Sequence, residues 1–161
     1  MEKIKILLVD DEKEFVETLS ERIRMRDHDS AVALNGEQAL KKIDDDLPDV
    51  VVLDLKMPGM DGMEVLRRIR KAYPKVQVIM LTGHGSEKDE QEARKLGVFE
   101  YLQKPIDIET LMKKVKKAYK KKFESSMMAA TFAEAGEFDT AKEIRDSEEE
   151  EDVDDETKKK K

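Results

Sequence analysis

The stretch Val50–Met63, VVVLDLKMPGMDGM, decides how the rest of the chain is read. It opens with Val50, Val51, Val52 and Leu53, four aliphatic residues with no alternation of polar and apolar. A short continuous run of this kind suits a strand covered on both faces, as in a parallel sheet. The run ends on an acid, Asp54. Pro58 and Gly59 then mark a turn, and a helical pattern resumes from Met63 to Lys71. A carboxylate is thereby held at the carboxyl end of a buried strand, the edge at which open α/β sheets bind ligands. Taken alone, Asp54 does no more than end a strand. Its meaning depends on what the other strands bring to the same edge.

Four further segments repeat the pattern. Ile4–Val9 is an apolar run that meets Asp10, Asp11 and Glu12; Phe15, Leu19 and Ile23 then fall on one helical face. Ala31–Leu34 reads as a weaker strand, followed by the Asn35-Gly36 turn and a short helix over Glu37–Ile43. After the helix that Tyr73-Pro74 ends, Val76–Leu81 is a buried strand followed by Thr82. The loop Gly83-His84-Gly85-Ser86 leads to a polar helix over Glu87–Leu96. Phe99–Leu102 is a short strand before Gln103, Lys104 and Pro105, and Ile108–Tyr119 is the last helix. Strand and helix alternate five times. That alternation predicts an α/β fold, a doubly wound parallel sheet with helices on both faces.

Asp10 with Asp11, Asp54, Thr82 and Lys104 thus occupy equivalent places, just past the ends of apolar strands. In a parallel sheet those ends share one edge. Three carboxylates gathered there require a counterion, since mutual repulsion otherwise raises their pKa values. Hard oxygen ligands with room for water suit Mg²⁺. Lysine and hydroxyl suit the oxygens of a phosphoryl group, and together these parts are those of phosphoryl transfer, with Asp54 the natural nucleophile. Singly, each has a plainer role: helix-start acid, solvated lysine, strand-end threonine. Their shared register is what points to a site.

The chain has 161 residues, enough for one ordinary domain with a remainder. It is 39% hydrophobic and 43% charged, against about 25% charged in a typical globular protein. The formal net charge of -7 argues against nonspecific nucleic-acid binding as a primary role. Cysteine is absent, which excludes disulfides and thiolate metal sites. No segment reads as a signal peptide or membrane span, so a cytoplasmic protein without membrane attachment is expected.

The motifs ILLVDDE, VVLDLKMPGMDG, VIMLTG and YLQKP, in this order and spacing, resemble the receiver domain of two-component response regulators over roughly Met1–Lys122. The resemblance implies a five-stranded, flavodoxin-like sheet of order 2-1-3-4-5 with five helices. It implies that Asp54 takes a phosphoryl group from a sensor histidine kinase or phosphotransfer protein, and that Asp10 and Asp11 form an Mg²⁺ pocket completed by the backbone carbonyl of Lys56. By the same resemblance Thr82 and Lys104 hold the phosphoryl oxygens, and Lys104-Pro105 matches a bond that is usually cis. Tyr101 matches an aromatic switch position whose ring turns inward when the threonine moves toward the phosphoryl group, altering contacts with a downstream protein. Lys56 and His84 match positions where the family varies, bordering the path of water to the acyl phosphate, and are expected to tune its lifetime.

Such a protein is a binding module rather than a turnover enzyme: it accepts a phosphoryl group and slowly hydrolyses it. A small-molecule phosphatase working through an aspartyl phosphate is the rival reading. Enzymes of the haloacid dehalogenase type place a second acid two residues beyond the nucleophile, where this chain has Lys56. Past Lys122 the composition changes. Residues 123–147 read as an amphipathic helical extension, and 148–161 as a charged, disordered tail of acids followed by Lys158–Lys161. FAEAGEFDTAKEI weakly resembles part of a tetratricopeptide-like hairpin, and one such unit cannot bury its own apolar face. Docking on the receiver, pairing with a second copy as a homodimer and folding on a partner all stay open, as does a scaffold role.

Overall fold

The computed structural model describes residues 2–134. The chain divides after Lys122, and the unit up to that residue is described by itself. The elements are β1 (Lys5–Val9), α1 (Lys13–Arg24), β2 (Asp29–Ala33), α2 (Gly36–Asp45), β3 (Val50–Leu53), α3 (Gly62–Ala72), β4 (Gln77–Thr82), α4 (Glu87–Lys95), β5 (Glu100–Gln103) and α5 (Ile108–Glu134). The five strands form one sheet of order β2-β1-β3-β4-β5, and every pairing is parallel. This is the expected doubly wound topology.

Strand alternation distributes the apolar residues to two layers. Leu7, Val9, Val51, Leu53, Val78 and Met80 pack on Ala39 and Ile43 of α2, Val65, Leu66 and Ile69 of α3, and Ala93 of α4. Ile6, Leu8, Val50, Val52, Ile79 and Leu81 face the other way, onto Val16 and Ile23 of α1 and Leu111, Met112, Val115 and Ala118 of α5. All four residues of β3 are buried, as a central strand between two helical layers requires.

Several boundaries shift by a residue or two from the sequence reading, and two of the shifts have a clear cause. β2 starts at Asp29, not Ala31, because the Asp29 N–H donates to the Ile4 carbonyl and extends the ladder across a polar residue. It is an edge strand with only Ala33 buried, so its apolar signal is weak. Its outward carbonyls at Ser30 and Val32 accept from the side chains of Arg24 and Lys42, which covers an edge otherwise open to strand addition. α5 runs beyond Tyr119 to Glu134, through good helix formers and no proline or glycine. The extension expected over 123–147 lies outside the described residues after Glu134, and so does the whole of 148–161. No helix among the described residues is long and apolar enough to cross a membrane.

Candidate functional site

Register delivers the site. Leu53 pairs with Val9 on one side and Met80 on the other, so β1 and β3 end level while β4 runs two residues further, and Thr82 is its last residue rather than the first beyond it. The Asp54 N–H donates to the Val9 carbonyl (2.9 Å) and the Lys104 N–H to the Thr82 carbonyl (2.9 Å), which fixes four candidate residues to one edge. Asp10 and Asp54 are each 4% exposed and Thr82 is fully buried. The loop after β3 returns through a Gly62 N–H to Leu55 carbonyl bond of 2.7 Å. A side chain at Gly62 would stand 2.1 Å from the Asp54 carbonyl oxygen, so only glycine permits this return. Lys104-Pro105 is cis.

The Lys104 ammonium lies at the centre of the acids, 2.7 Å from Asp10 Oδ2, 3.3 Å from Glu12 Oε1 and 3.9 Å from Asp54 Oδ2. Asp10 turns its other oxygen to accept the Glu12 N–H at 2.8 Å. Carboxylate oxygens of Asp10, Glu12 and Asp54 all lie within 4.8 Å of one another. Asp54 Oδ1 is fully buried and has no hydrogen-bond partner. Burial, and then the Asp10 charge, push the Asp54 carboxyl above its ordinary range, with Lys104 acting against them. Burial opposes the charge on Lys104, but Asp10, Asp54 and Glu12 outweigh it and hold its pKa above the usual lysine value. One oxygen of a buried carboxylate is left without a partner beside two more carboxylates, and this all-oxygen donor set fits a hard divalent cation such as Mg²⁺.

Asp10, Asp54, Thr82 and Lys104 are therefore brought together. Asp11 is exposed and lies outside the three clustered acids; the third of them, also exposed, is Glu12, which sequence reasoning did not single out. Its only sequence signal was membership of the acid run Asp10–Glu12, which reads equally as the start of α1. Lys56 and His84 are exposed on the loops after β3 and β4, and the His84 N–H donates to Thr82 Oγ1 at 3.3 Å. Tyr101, on β5, is 7% exposed, with its ring packed inside. Two further residues escaped sequence reasoning. Phe15, read only as part of an apolar helix face, lies against Lys104 with Nζ 4.3 Å from the ring centroid. Gly85 abuts Tyr101 so closely that an added Cβ would stand 1.6 Å from its Oη.

Comparison with known proteins agrees with this architecture. Residues 6–116 match the family model described as the response regulator receiver domain. The chain is 38% identical over 113 residues to sporulation initiation phosphotransferase F of Bacillus subtilis (strain 168), covering 70% of this chain and 91% of that protein. Among solved structures it is similar to a response regulator receiver domain protein from Clostridium thermocellum, with a TM-score of 0.70 at 34% identity, covering 74% of this chain and 96% of the other. A CheY-like receiver domain protein from Methanospirillum hungatei JF-1 shares the fold, with a TM-score of 0.74 at 24% identity over 76% of this chain and 98% of its own. The chain belongs to the response regulator receiver domain family of two-component phosphorelay signalling.

Proposed function

We propose that Asp54 accepts a phosphoryl group from a sensor histidine kinase or a phosphotransfer protein, and that the resulting charge changes which protein the chain binds. The observation that carries this reading is the Lys104 ammonium held among Asp10, Glu12 and Asp54 at the carboxyl edge of the sheet. An oxygen of Asp54 bonds to phosphorus as the bond to the donor's imidazole nitrogen breaks, and the imidazole leaves with the electron pair. Lys104 and Thr82 stand where they can meet the oxygens of the incoming group, one as a charge and one as a hydroxyl. Asp10, Glu12 and Asp54 would hold Mg²⁺, with Asp11 and the Lys56 carbonyl as the adjacent oxygens that the family resemblance implies. The ion supplies charge neutralisation that lets a dianionic phosphoryl group approach three acids.

The resulting acyl phosphate is hydrolysed slowly, with Lys56 and His84 at the rim setting the rate. The chain is a switch, not a turnover enzyme. A relative named a phosphotransferase, at 38% identity, supports a role in which the group is also handed on. The test is intact mass after incubation with Mg²⁺ and acetyl phosphate. One added phosphoryl group is expected in the wild type, and none in Asp54→Asn or when the metal is chelated. A wild type that gains no mass, or a variant that gains as much, would sink the reading. Loss of the added mass at the same rate in Lys56→Ala/His84→Ala would remove their part in the lifetime.

A further inference from the structure

The Lys104 ammonium has two kinds of partner. Three are carboxylates, those of Asp10, Glu12 and Asp54. The fourth is the ring of Phe15, with Nζ 4.3 Å from its centroid. Phe15 sits in the first turn of α1, immediately before the buried Val16. It is half-buried, resting on the apolar layer that α1 and α5 form over the sheet. With Asp10 and Asp54 it also lines a small cavity.

These partners respond differently once the site is loaded. A divalent cation engages the acids, and a phosphoryl group consumes the charge on Asp54, so every carboxylate contact of Lys104 is open to competition. An aromatic face is not a ligand for Mg²⁺ and does not attract an anion. It attracts an ammonium through its quadrupole, most strongly where water is excluded, and the Lys104 side chain is only 14% exposed. We propose that Phe15 is a positioning residue for phosphoryl acceptance, holding the Lys104 ammonium beside Asp54 on the face of its ring while the acids are engaged elsewhere. The proposal rests on the reading of Asp54 as phosphoacceptor.

Fluorination at position 15 tests it with little change of shape. Phenylalanine carrying one, two and three ring fluorines is placed there in the full chain, alongside Phe15→Tyr, which keeps the electron-rich face, and Phe15→Leu, which removes it. The maximal rate of phosphorylation by acetyl phosphate is expected to fall stepwise with each fluorine, by about three- to tenfold across the series. The concentration of donor at half-maximal rate stays constant, Tyr matches the wild type and Leu behaves like the trifluoro ring. A second readout needs no donor: the Lys104 Hε protons, lying over a ring face, resonate upfield in the wild type and lose that shift in Phe15→Leu. A flat rate across the fluorinated series overturns the proposal, as does an unshifted Hε resonance in the wild type. A wild type that takes no phosphoryl group overturns the acceptor reading instead, and the Hε shift then decides the ring contact by itself.

Discussion

Tyr101 contains a contradiction at the scale of one residue. Its ring is packed inside, and its hydroxyl is buried with no hydrogen-bond partner. Burial, then the nearby charges of Asp89, Glu90 and Asp54, push the phenol pKa upward, so the group stays neutral and still lacks an acceptor. An unsatisfied buried hydroxyl costs about 1–3 kcal/mol. Tyr101→Phe keeps the ring and removes the orphan, and is expected to raise unfolding stability by about 1 kcal/mol in urea denaturation. A loss of stability would show that the hydroxyl has a partner after all. The space for the ring comes from Gly85, where a methyl group would overlap Tyr101 Oη at 1.6 Å and crowd Thr82 Cγ2 at 3.0 Å. Gly85→Ala therefore expels the ring. A double-mutant cycle reads this directly: Gly85→Ala costs about 1–3 kcal/mol beside Tyr101 and much less beside Tyr101→Ala. Equal costs in the two backgrounds would mean that the ring is not what fills the space.

At the scale of elements, the join between β1 and β2 depends on a histidine. His28, 5% exposed, sits between α1 and β2 and accepts the Ile4 N–H on Nδ1 at 3.1 Å. That bond requires a ring nitrogen without a proton. Burial, and then the charge of Lys116, lower the His28 pKa from 6.5, with Asp27 and Asp29 acting in the opposite direction and Lys3 with the lowering. The folded value lies below the unfolded one, so the unfolded chain binds the proton more readily. The contribution is therefore fully present above about pH 6.5 and is lost as pH falls toward the folded value. In His28→Gln this step should vanish: wild type and variant differ most near pH 8 and converge toward pH 5 in chemical denaturation. A gap that stays constant across that range would show that His28 keeps the same protonation in both states. The same join explains why β2 was the hardest strand to read. Its first residue is an acid, its outward groups are met by side chains, and its stability comes from its neighbours rather than its own apolar content.

For the whole molecule, what was legible in the sequence is what the sheet centre imposes. β1, β3 and β4 are buried on both faces, so their runs are unbroken and their ends can be located to within a residue; Asp10, Asp54 and Thr82 follow from that, and Lys104 from the end of the shorter β5. Glu12, Phe15 and Gly85 were not legible, because their roles arise from contacts across elements that neither period nor spacing records. The charge distribution is readable again, and it separates the two units. Residues 123–161 hold 14 acids and 6 bases, leaving 24 acids and 25 bases in residues 1–122. The acidity of the chain therefore belongs to the part that begins at Phe123. Within the first unit α5 is already anchored: Leu111, Val115 and Ala118 are fully buried, Tyr119 Oη donates to Glu2, and Lys122 Nζ reaches Asp49 Oδ1 at 2.7 Å. A chain ending at Lys122 keeps all of these contacts and the whole site. It is expected to unfold within about 0.5 kcal/mol of the full chain and to accept phosphoryl from acetyl phosphate at the same rate. With its net charge near zero it should associate more readily at low salt, which sedimentation measures. A drop of several kcal/mol, or a lost phosphorylation step, would mean that residues beyond Lys122 complete the fold or the site rather than add to it.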